Sequence, residues 1–200
     1  KAGYEIIYPE AMDDLCCGMA FASKGFTEEG NRKAMELQRA LFKASDDGNL
    51  PILCDMSPCL YRMKETLDKK LKLYEPIEFT LKYLAPYLTF HRLPETIAIH
   101  PVCSAKKMGL EAKMVQLASL CAEKVVVPEN NCCGFAGDRG FTHPELNRHG
   151  LRRLKEQLPA DCSGGYSTSR TCEIGLSLHS GLHYKSILYL VDQCTEPKAG

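Results

Sequence analysis

The clearest hydrophobic pattern lies in the second half of the chain, where a strand, a helix and a second strand follow one another. Residues 96–100 form a β-branched run that is typical of a buried strand. Residues 107–122 carry apolar side chains at the i, i+4, i+7, i+8 and i+11 spacing of a helix face turned towards a core. Residues 125–127 are consecutive valines, which indicates another buried strand. This order predicts a right-handed βαβ unit.

The first half shows the same alternation of helices and short strands. A helix is predicted to begin with Thr27 as its N-cap, because Glu28 and Glu29 then lie at the positive end of the helix dipole. The helix should end at the turn-forming residues 46–49. A short strand over residues 50–54 and a helix from Ser57 follow. We therefore expect an α/β fold of short parallel sheets covered by helices.

A stretch of sequence around the vicinal cysteines occurs twice. From Cys16 the chain reads CCGMAFASKGFTEEGNR, and from Cys132 it reads CCGFAGDRGFTHPELNR. With a gap of one residue, Cys-Cys-Gly, a basic residue, Gly-Phe-Thr and Asn-Arg coincide, which indicates an internal repeat. In the second copy, Thr142 and Glu145 fit a capping box at a helix start. We predict two domains, residues 1–90 and 91–200, as duplicated units related by a pseudo-twofold axis.

Charge and hydropathy disfavour two classes of partner. The chain has 25 basic and 25 acidic residues and a formal net charge of +0. This balance argues against a nucleic-acid-binding surface and against a polybasic membrane patch. No apolar run approaches the roughly 18–20 residues that cross a bilayer. We expect no nucleic-acid partner, no transmembrane segment and a cytoplasmic location, with peripheral association at the inner face of the membrane as the alternative.

Cysteine is the residue type that stands out in the composition. The chain has 11 cysteines, an odd number, and two pairs of them are adjacent in sequence, Cys16-Cys17 and Cys132-Cys133. Vicinal cysteines rarely bond to each other, because the small ring conflicts with disulfide geometry. Clustered thiolates suit soft metals, so the cysteines indicate a metal centre rather than a disulfide framework. Gly18 and Gly134 would allow the sharp turn that brings both sulfurs of a pair to one centre.

These motifs resemble the cysteine-rich CCG domain, in which a cysteine, Cys-Cys-Gly and Cys-x-x-Cys commonly occur twice. That domain is found in heterodisulfide reductase and in the iron–sulfur subunits of glycolate oxidase and anaerobic glycerol-3-phosphate dehydrogenase. The segments SPC from Ser57 and GYSTSRTCEIGL from Gly165 are most similar to the C-terminal part of FAD-linked D-lactate or D-2-hydroxyglutarate dehydrogenases that are fused to iron–sulfur segments. The resemblance covers essentially the whole chain.

The resemblance implies a [4Fe–4S] cluster at the second motif. Ser169 stands where the family has the first cysteine of Cys-x-x-Cys, so four thiolates remain, the number an ordinary cluster requires. A single zinc ion is the alternative, although zinc sites usually space their cysteines by two to four residues. The implied cofactor-binding residues of the second motif are Cys103, Cys132, Cys133 and Cys172.

The first motif is incomplete. Met56 replaces the first cysteine of its Cys-x-x-Cys, and the opening cysteine is expected upstream of Lys1. The metal-binding residues that remain are Cys16, Cys17 and Cys59, and we expect these three not to hold a complete cluster. Zinc is an equally good candidate at this motif.

The remaining cysteines and several polar residues have two interpretations each. Cys54, at the end of a predicted strand, is either structural or an auxiliary ligand, whereas Cys121 falls on the apolar helix face and is interpreted as core packing. Cys162 and Cys194 have no place in the motifs. His100 is a candidate hydrogen-bond donor to a cluster sulfur, with a packed or capped side chain as the alternative. Lys24 and Arg139 are candidate cations near the motifs, with solvated loop residues as the alternative.

The resemblance implies a function in electron transfer. The chain would be one domain of an FAD- and iron–sulfur-dependent oxidoreductase, inactive alone, with the FAD on another domain, because no GxGxxG follows a strand here. Its partners would be a flavin dehydrogenase domain or subunit and a quinone or other acceptor. The alternatives are a structural zinc or subunit-interaction module and thiol–disulfide catalysis, which would require a Cys-x-x-Cys at a helix N-terminus.

Overall fold

The computed structural model describes residues 1–198. The chain divides into two compact units. We call Gly3–Glu75 the N-terminal unit, and Lys1–Ala2 together with the chain from Pro76 onward the C-terminal unit. Both combine helices with short parallel strands, so the predicted α/β class is confirmed. The pseudo-twofold axis and the division into repeats at residues 1–90 and 91–200 stay predictions.

The N-terminal unit is built around one long helix. This helix, α2 (Thr27–Ala44), buries the side that contains Gly30, Ala34, Leu37 and Leu41. It ends before a turn in which Asp46, Asp47 and Gly48 have φ values of 50°, 52° and 84°. The elements of this unit are a 3₁₀ turn Met12–Asp14, α1 (Met19–Ala22), α2 (Thr27–Ala44), β1 (Pro51–Leu53), α3 (Ser57–Thr66) and β2 (Lys72–Tyr74).

Strands β1 and β2 of the N-terminal unit pair in parallel, with Ile52 opposite Leu73. Helix α3 is the crossover between them and begins with Pro58 in its first turn, where the missing N–H costs nothing. The buried apolar side chains of the two helices, of β2 and of the loop before β2 include Ala34, Leu37, Leu41, Leu60, Met63, Leu67, Leu71 and Leu73.

The C-terminal unit contains six strands: β3 (Leu88–Phe90), β4 (Leu93–Ile99), β5 (Ala122–Val126), β6 (Cys162–Ser167), β7 (Tyr184–Ser186) and β8 (Thr195–Pro197). Four of them form a parallel sheet in the order β5-β4-β6-β7, and β3 pairs antiparallel with β8. Its helices are α4 (Pro76–Phe79), α5 (Cys103–Lys107), α6 (Glu111–Cys121), α7 (Arg139–Thr142), α8 (Pro144–Gly150), α9 (Arg170–Ser180) and α10 (Ile187–Gln193), with a π-helical turn Thr80–Leu84 and 3₁₀ turns Ala85–Tyr87 and Lys155–Gln157.

Both faces of strand β4 are buried over residues 96–99, which explains the apolar run Ile97–Ile99. Ile97 and Ile99 pack into the cluster that contains residues of α6 and α10. Ala98, between them, faces the other side of the sheet and belongs to the cluster that contains Leu176 of α9. The sheet is therefore sandwiched between helices, and the loops after its strands are left at one edge.

Both predicted helix caps are wrong. The N-cap of α2 is Phe26, and Thr27 is its first helical residue. The hydroxyl of Thr142 donates to the carbonyl of Arg139 in α7, so it closes one short helix, and α8 begins after His143 without a side-chain cap. Because the Gly-Phe-Thr segment itself forms a helical turn, the Thr142 hydroxyl bonds within that turn and does not cap α8.

The helices within residues 1–198 include none with the length and apolar character that a membrane span needs.

Candidate metal centre

Both Cys-Cys-Gly turns have the same local geometry. The φ angles of Gly18 and Gly134 are 80° and 72°, in the region that favours glycine. A Cβ on either glycine would collide with a helix backbone carbonyl, that of Gly30 for Gly18 and that of Leu146 for Gly134. In each turn the glycine N–H donates to the first cysteine's Sγ over 3.3 Å. The two glycines therefore serve the turn and the approach of the N–H to sulfur, as expected.

The cysteines of the second motif lie at one edge of the parallel sheet. Cys103 is the first residue of α5, shortly after β4 ends, and Cys132 and Cys133 follow the end of β5. Cys172 lies in the first turn of α9, which follows β6. Strands β5, β4 and β6 are neighbours, so the loops after their carboxyl ends meet, as in the binding crevices of open α/β sheets.

The four thiols of this set, which we call the C-terminal cysteine set, form a chain of sulfur contacts. The Cys133 Sγ donates to the Cys172 Sγ over 2.9 Å, well beyond the about 2.05 Å of a disulfide. The single S–H of Cys103 can reach either the Cys132 sulfur or the carbonyl of Asn131, which lies 3.5 Å away. All of these cysteines are free thiols. The structure thus brings together the four residues that the CCG resemblance implied.

The sulfur contacts bias where a thiolate forms. Hydrogen bonds donated by Cys103 and Cys133 lower the pKa of Cys132 below its ordinary value. The bond from Cys133 lowers the pKa of Cys172 in the same way, and Ser169 also hydrogen-bonds that thiol. The donors Cys103 and Cys133 have raised pKa values for the complementary reason. Because Cys133 has a single S–H, which can bond only one of these two sulfurs at a time, the shifts favour a thiolate, the form that binds metal, chiefly at Cys132, which Cys103 also bonds.

Neighbouring polar groups hold the C-terminal cysteine set in place. The amide of Asn147, a buried residue of α8, donates to the carbonyl of Cys133 and so fixes the vicinal turn.

His100 is a buried neighbour of the set. It is 1% exposed, its Nε2 has no hydrogen-bond partner, and burial together with Lys106 lowers its pKa to about 4. Cys132 is exposed and Cys133 is buried, so solvent reaches the set from the Cys132 side.

In the first motif, the structure also brings its cysteines together. Cys59 lies in the first turn of α3, and its thiol hydrogen-bonds Cys17, whose pKa falls to about 6 mainly for that reason. A hydrogen bond from Cys16 contributes to the same shift. Cys17 is buried, whereas Cys16 and Cys59 are half-buried. Cys54 lies close enough for its charge to raise the pKa of Cys59.

Thiols are suitable metal ligands, but in this structure the sulfurs contact one another and are not spaced around a metal position. Two thiolates on one tetrahedral ion would lie roughly 3.8 Å apart, given Zn–S bonds of roughly 2.3 Å. The 2.9 Å between the sulfurs of Cys133 and Cys172 is shorter than that. In keeping with this, no group of three or more His, Cys, Asp or Glu within residues 1–198 is arranged around an ion position. Binding therefore requires the sulfurs to move apart.

The remaining cysteines of the C-terminal unit occupy other positions in the fold. Cys121 and Cys194 hydrogen-bond each other, and both are buried in the cluster between the sheet and helices α6 and α10. Cys162 begins β6 and therefore lies at the opposite end of that strand from Cys172. Lys24 and Arg139 are exposed. Sequence reasoning gave Ser169 no role of its own, although it occupies a cysteine position of the Cys-x-x-Cys pattern, and its hydroxyl hydrogen-bonds Cys172. It treated Cys54 as either structural or an auxiliary ligand, and the charge of Cys54 acts on Cys59.

The CCG resemblance is confirmed by comparison with known proteins. Residues 97–176, which hold the whole C-terminal cysteine set, match the family described as the cysteine-rich domain CCG. This part of the chain has the α/β sheet and the strand-end cysteines just described.

The curated relatives carry the name of a particular enzyme component. The C subunit of anaerobic glycerol-3-phosphate dehydrogenase from Escherichia coli K12 is 24% identical over 192 residues, with 82% of this chain and 48% of the relative covered. The protein of the same name from E. coli O157:H7 gives the same figures. The chain thus spans about half the length of the relatives it matches.

Proposed function

We propose that the chain is an iron–sulfur electron-transfer domain of a flavin-linked dehydrogenase. The observation that carries this proposal is the convergence of Cys103, Cys132, Cys133 and Cys172 at the carboxyl ends of three adjacent parallel strands. Free thiols gathered at one edge, where hydrogen bonds between the sulfurs favour a thiolate at Cys132, suit a cluster better than a disulfide. The match of the same residues to the CCG family supports the same class.

The resident cofactor in this proposal is a [4Fe–4S] cluster held by the C-terminal cysteine set, which would accept and release one electron at a time. The protein's part is to hold the ligands and tune their charge. The N–H of Gly134 donates to the Cys132 sulfur, and the hydroxyl of Ser169 bonds the Cys172 sulfur. Donors to the sulfurs stabilise added negative charge and raise a cluster's reduction potential.

The electron donor in this proposal is FAD on a separate dehydrogenase domain or subunit. The support is that the curated relatives are named as one component of a dehydrogenase. The substrate class is a 2-hydroxy acid such as D-lactate, glycolate or D-2-hydroxyglutarate, or glycerol 3-phosphate. The acceptor is a quinone or another carrier, reached in the cytoplasm or at the inner face of the membrane. The chain by itself would have no substrate turnover.

The ligand assignment is tested by serine substitution. Protein purified or reconstituted without oxygen should contain iron, acid-labile sulfide and visible sulfur-to-iron charge-transfer absorption, and Cys172→Ser should lose them. The matched control is Cys162→Ser, because Cys162 lies at the other end of strand β6. Cys121→Ser should keep the cluster and lose only about 1–3 kcal/mol of unfolding free energy, for a newly buried hydroxyl.

Three results would contradict the proposal. Full cluster content in Cys172→Ser would show that this ligand set is wrong. Loss of the cluster in Cys162→Ser would move the site to the opposite end of β6. Stoichiometric zinc without iron or sulfide, in protein made under iron-replete anaerobic conditions, would favour a structural zinc or subunit-interaction module.

A further inference from the structure

Strand β1 of the N-terminal unit occupies the same kind of position as β6 of the C-terminal unit. Each strand pairs in parallel with the next strand along the chain, and each is joined to it by a crossover helix. The third residue of that helix is a cysteine in both units, Cys59 of α3 and Cys172 of α9. The segment β1–α3–β2 is therefore the counterpart of β6–α9–β7.

The two strands differ at their other edge. Strand β6 pairs there with β4, and His100, which follows β4, donates its N–H to the carbonyl of Tyr166 over 2.9 Å. Strand β1 pairs only with β2 in the part of the chain that the structure describes. Leu53 and Tyr166 both lie six residues before the helix cysteine. Leu53 is 41% exposed, however, and Tyr166 only 7%. The edge that β4 covers in one unit is thus open in the other.

The backbone of Leu53 faces this open edge. The N–H of the next residue, Cys54, donates to the carbonyl of Tyr74 in β2 over 3.0 Å. Because successive residues of a strand turn their backbone groups to opposite sides, the N–H and the carbonyl of Leu53 point away from β2. An edge of this kind is a template on which a further strand can pair.

The N-terminal unit also contains an apolar run that belongs to no sheet. The chain reads IIYPE from Ile6 and VVVPE from Val125, in each case shortly before a Cys-Cys-Gly motif. The second run contains the end of β5, which pairs with β4 on the side away from β6. In the first run, Ile6, Ile7 and Tyr8 are each more than half exposed and form no strand. The first run therefore has the sequence of an edge strand without a neighbour to pair with.

The residues that follow the two runs make comparable contacts. Glu10 forms an ion pair with Lys43, near the end of α2, over 2.7 Å. The N–H of Glu129 donates to the side chain of Gln157 over 2.6 Å. Lys43 and Gln157 each lie shortly before the next strand along the chain, β1 and β6 respectively. In both units, the end of the run is thus held against the segment that leads into this strand.

We propose that the N-terminal unit binds one further β-strand, in parallel, between residues 4–8 and the open edge of β1. The order of residues 4–8, the inserted strand, β1 and β2 then matches the order β5-β4-β6-β7 of the C-terminal unit. The inserted strand is apolar on both faces, as β4 is over residues 97–99, because it lies inside a sheet. It comes from polypeptide outside residues 1–200, and the curated relatives, of which this chain spans 48%, contain such additional chain.

A peptide with the sequence of residues 93–100, which contain β4, is the probe for this site. Added to the full chain, it should bind saturably in fluorescence anisotropy. Hydrogen exchange at the Leu53 N–H, followed by NMR, should slow by about tenfold or more at saturation, because the peptide's carbonyls then accept from this edge. No metal or electron transfer enters the measurement, so its result is independent of the proposed function.

Two variants at one position separate the backbone from the side chain. Leu53→Pro removes the N–H that faces the open edge and keeps the bonds between β1 and β2, so it should weaken peptide binding by about tenfold or more. Leu53→Ala is the matched control, because it shortens the exposed side chain and keeps the N–H, and it should weaken binding much less. Circular dichroism checks that both variants fold.

Two N-methylated peptides test the two edges of the inserted strand without any protein variant. In β4 the N–H of His100 faces β6, and by alternation that of Ala98 does too, whereas those of Ile97 and Ile99 face β5. Methylation at the first two positions should block pairing with β1, and methylation at the other two should block pairing with residues 4–8. Each peptide should bind about tenfold more weakly or worse.

Four results would overturn the proposal. The first is absence of saturable binding, or unchanged Leu53 exchange at saturation. The second is an equal effect of Leu53→Pro and Leu53→Ala in folded protein. Sensitivity to methylation only at positions 98 and 100 would show a strand that adds to β1 without residues 4–8. Leu53 exchange that slows with protein concentration in the absence of peptide would assign the edge to a second copy of the chain.

Discussion

At the scale of single residues, the glycine of each vicinal motif has both a conformational and a steric task. Gly134 has φ 72°, and a Cβ there would collide with the carbonyl of Leu146. Gly137, three residues on, has φ 76° but open space around it. Comparing Gly134 with Gly137 therefore separates the effect of the left-handed backbone from the effect of the steric collision within one loop.

We expect Gly134→Ala to destabilise the protein far more than Gly137→Ala. The left-handed backbone alone should cost about 1–2 kcal/mol at Gly137. At Gly134 the backbone of α8 must also move, so we expect about 3–5 kcal/mol. Urea unfolding followed by circular dichroism measures both differences. Equal losses would show that the contact with α8 does not constrain the turn.

At the scale of elements, helix α6 contributes the face that the sequence pattern predicted. Met114, Leu117 and Ala118 are completely buried against the sheet. The helix is shorter than predicted, because α5 and a glycine-containing turn separate residues 103–107 from Glu111–Cys121. Hydrophobic spacing identifies the buried face reliably, but the bounds depend on where the preceding turn closes.

Leu117→Ala should cost about 2–5 kcal/mol of unfolding free energy, since it leaves a cavity between α6 and the sheet. The matched control is Leu178→Ala on α9, where the side chain is 72% exposed and the change should stay within about 0.5 kcal/mol. Thermal melts monitored by circular dichroism give both values. A small loss at Leu117 would mean that this face is not part of the core.

At the scale of the whole molecule, one buried base should make global stability depend on pH. His100 has a pKa of about 4 in the fold, lowered first by burial and then by Lys106, while the charge of Cys132 acts in the opposite direction. The unfolded value is about 6.5. The unfolded chain therefore binds the proton more strongly, and the contribution is complete above about pH 6.5 and is lost as pH falls towards 4.

The metal-free protein should lose on the order of 3 kcal/mol through His100 between about pH 6.5 and 4. In His100→Gln this part of the pH dependence should disappear, because glutamine does not titrate there. Denaturant unfolding at several pH values gives the difference between the two proteins. If that difference does not change with pH, His100 is not held neutral by the fold.

Much of the fold could be predicted from local pattern. The helix over residues 27–44, the turn at Asp46–Gly48 and the short strands after it and around helix α6 all follow from spacing and turn-forming residues. The caps could not be predicted. The Thr142 hydroxyl could either accept from the N–H of Glu145, as in a capping box, or donate to the carbonyl of Arg139, as it does here, and the sequence does not decide between the two. The pairing of β3 with β8 joins residues about a hundred positions apart and leaves no local signal.

The sequence by itself determined the repeat and the vicinal turns, because these depend on residue identity and spacing along the chain, whereas the resemblance to the CCG domain implied the grouping of Cys103, Cys132, Cys133 and Cys172. Only the tertiary structure decided which strand ends are neighbours and which sulfurs touch. Cys54 shows the difference most clearly. Its N–H donates to the carbonyl of Tyr74 at the end of β2, and its thiol turns to the carbonyl of Met56, neither of which the local sequence predicts.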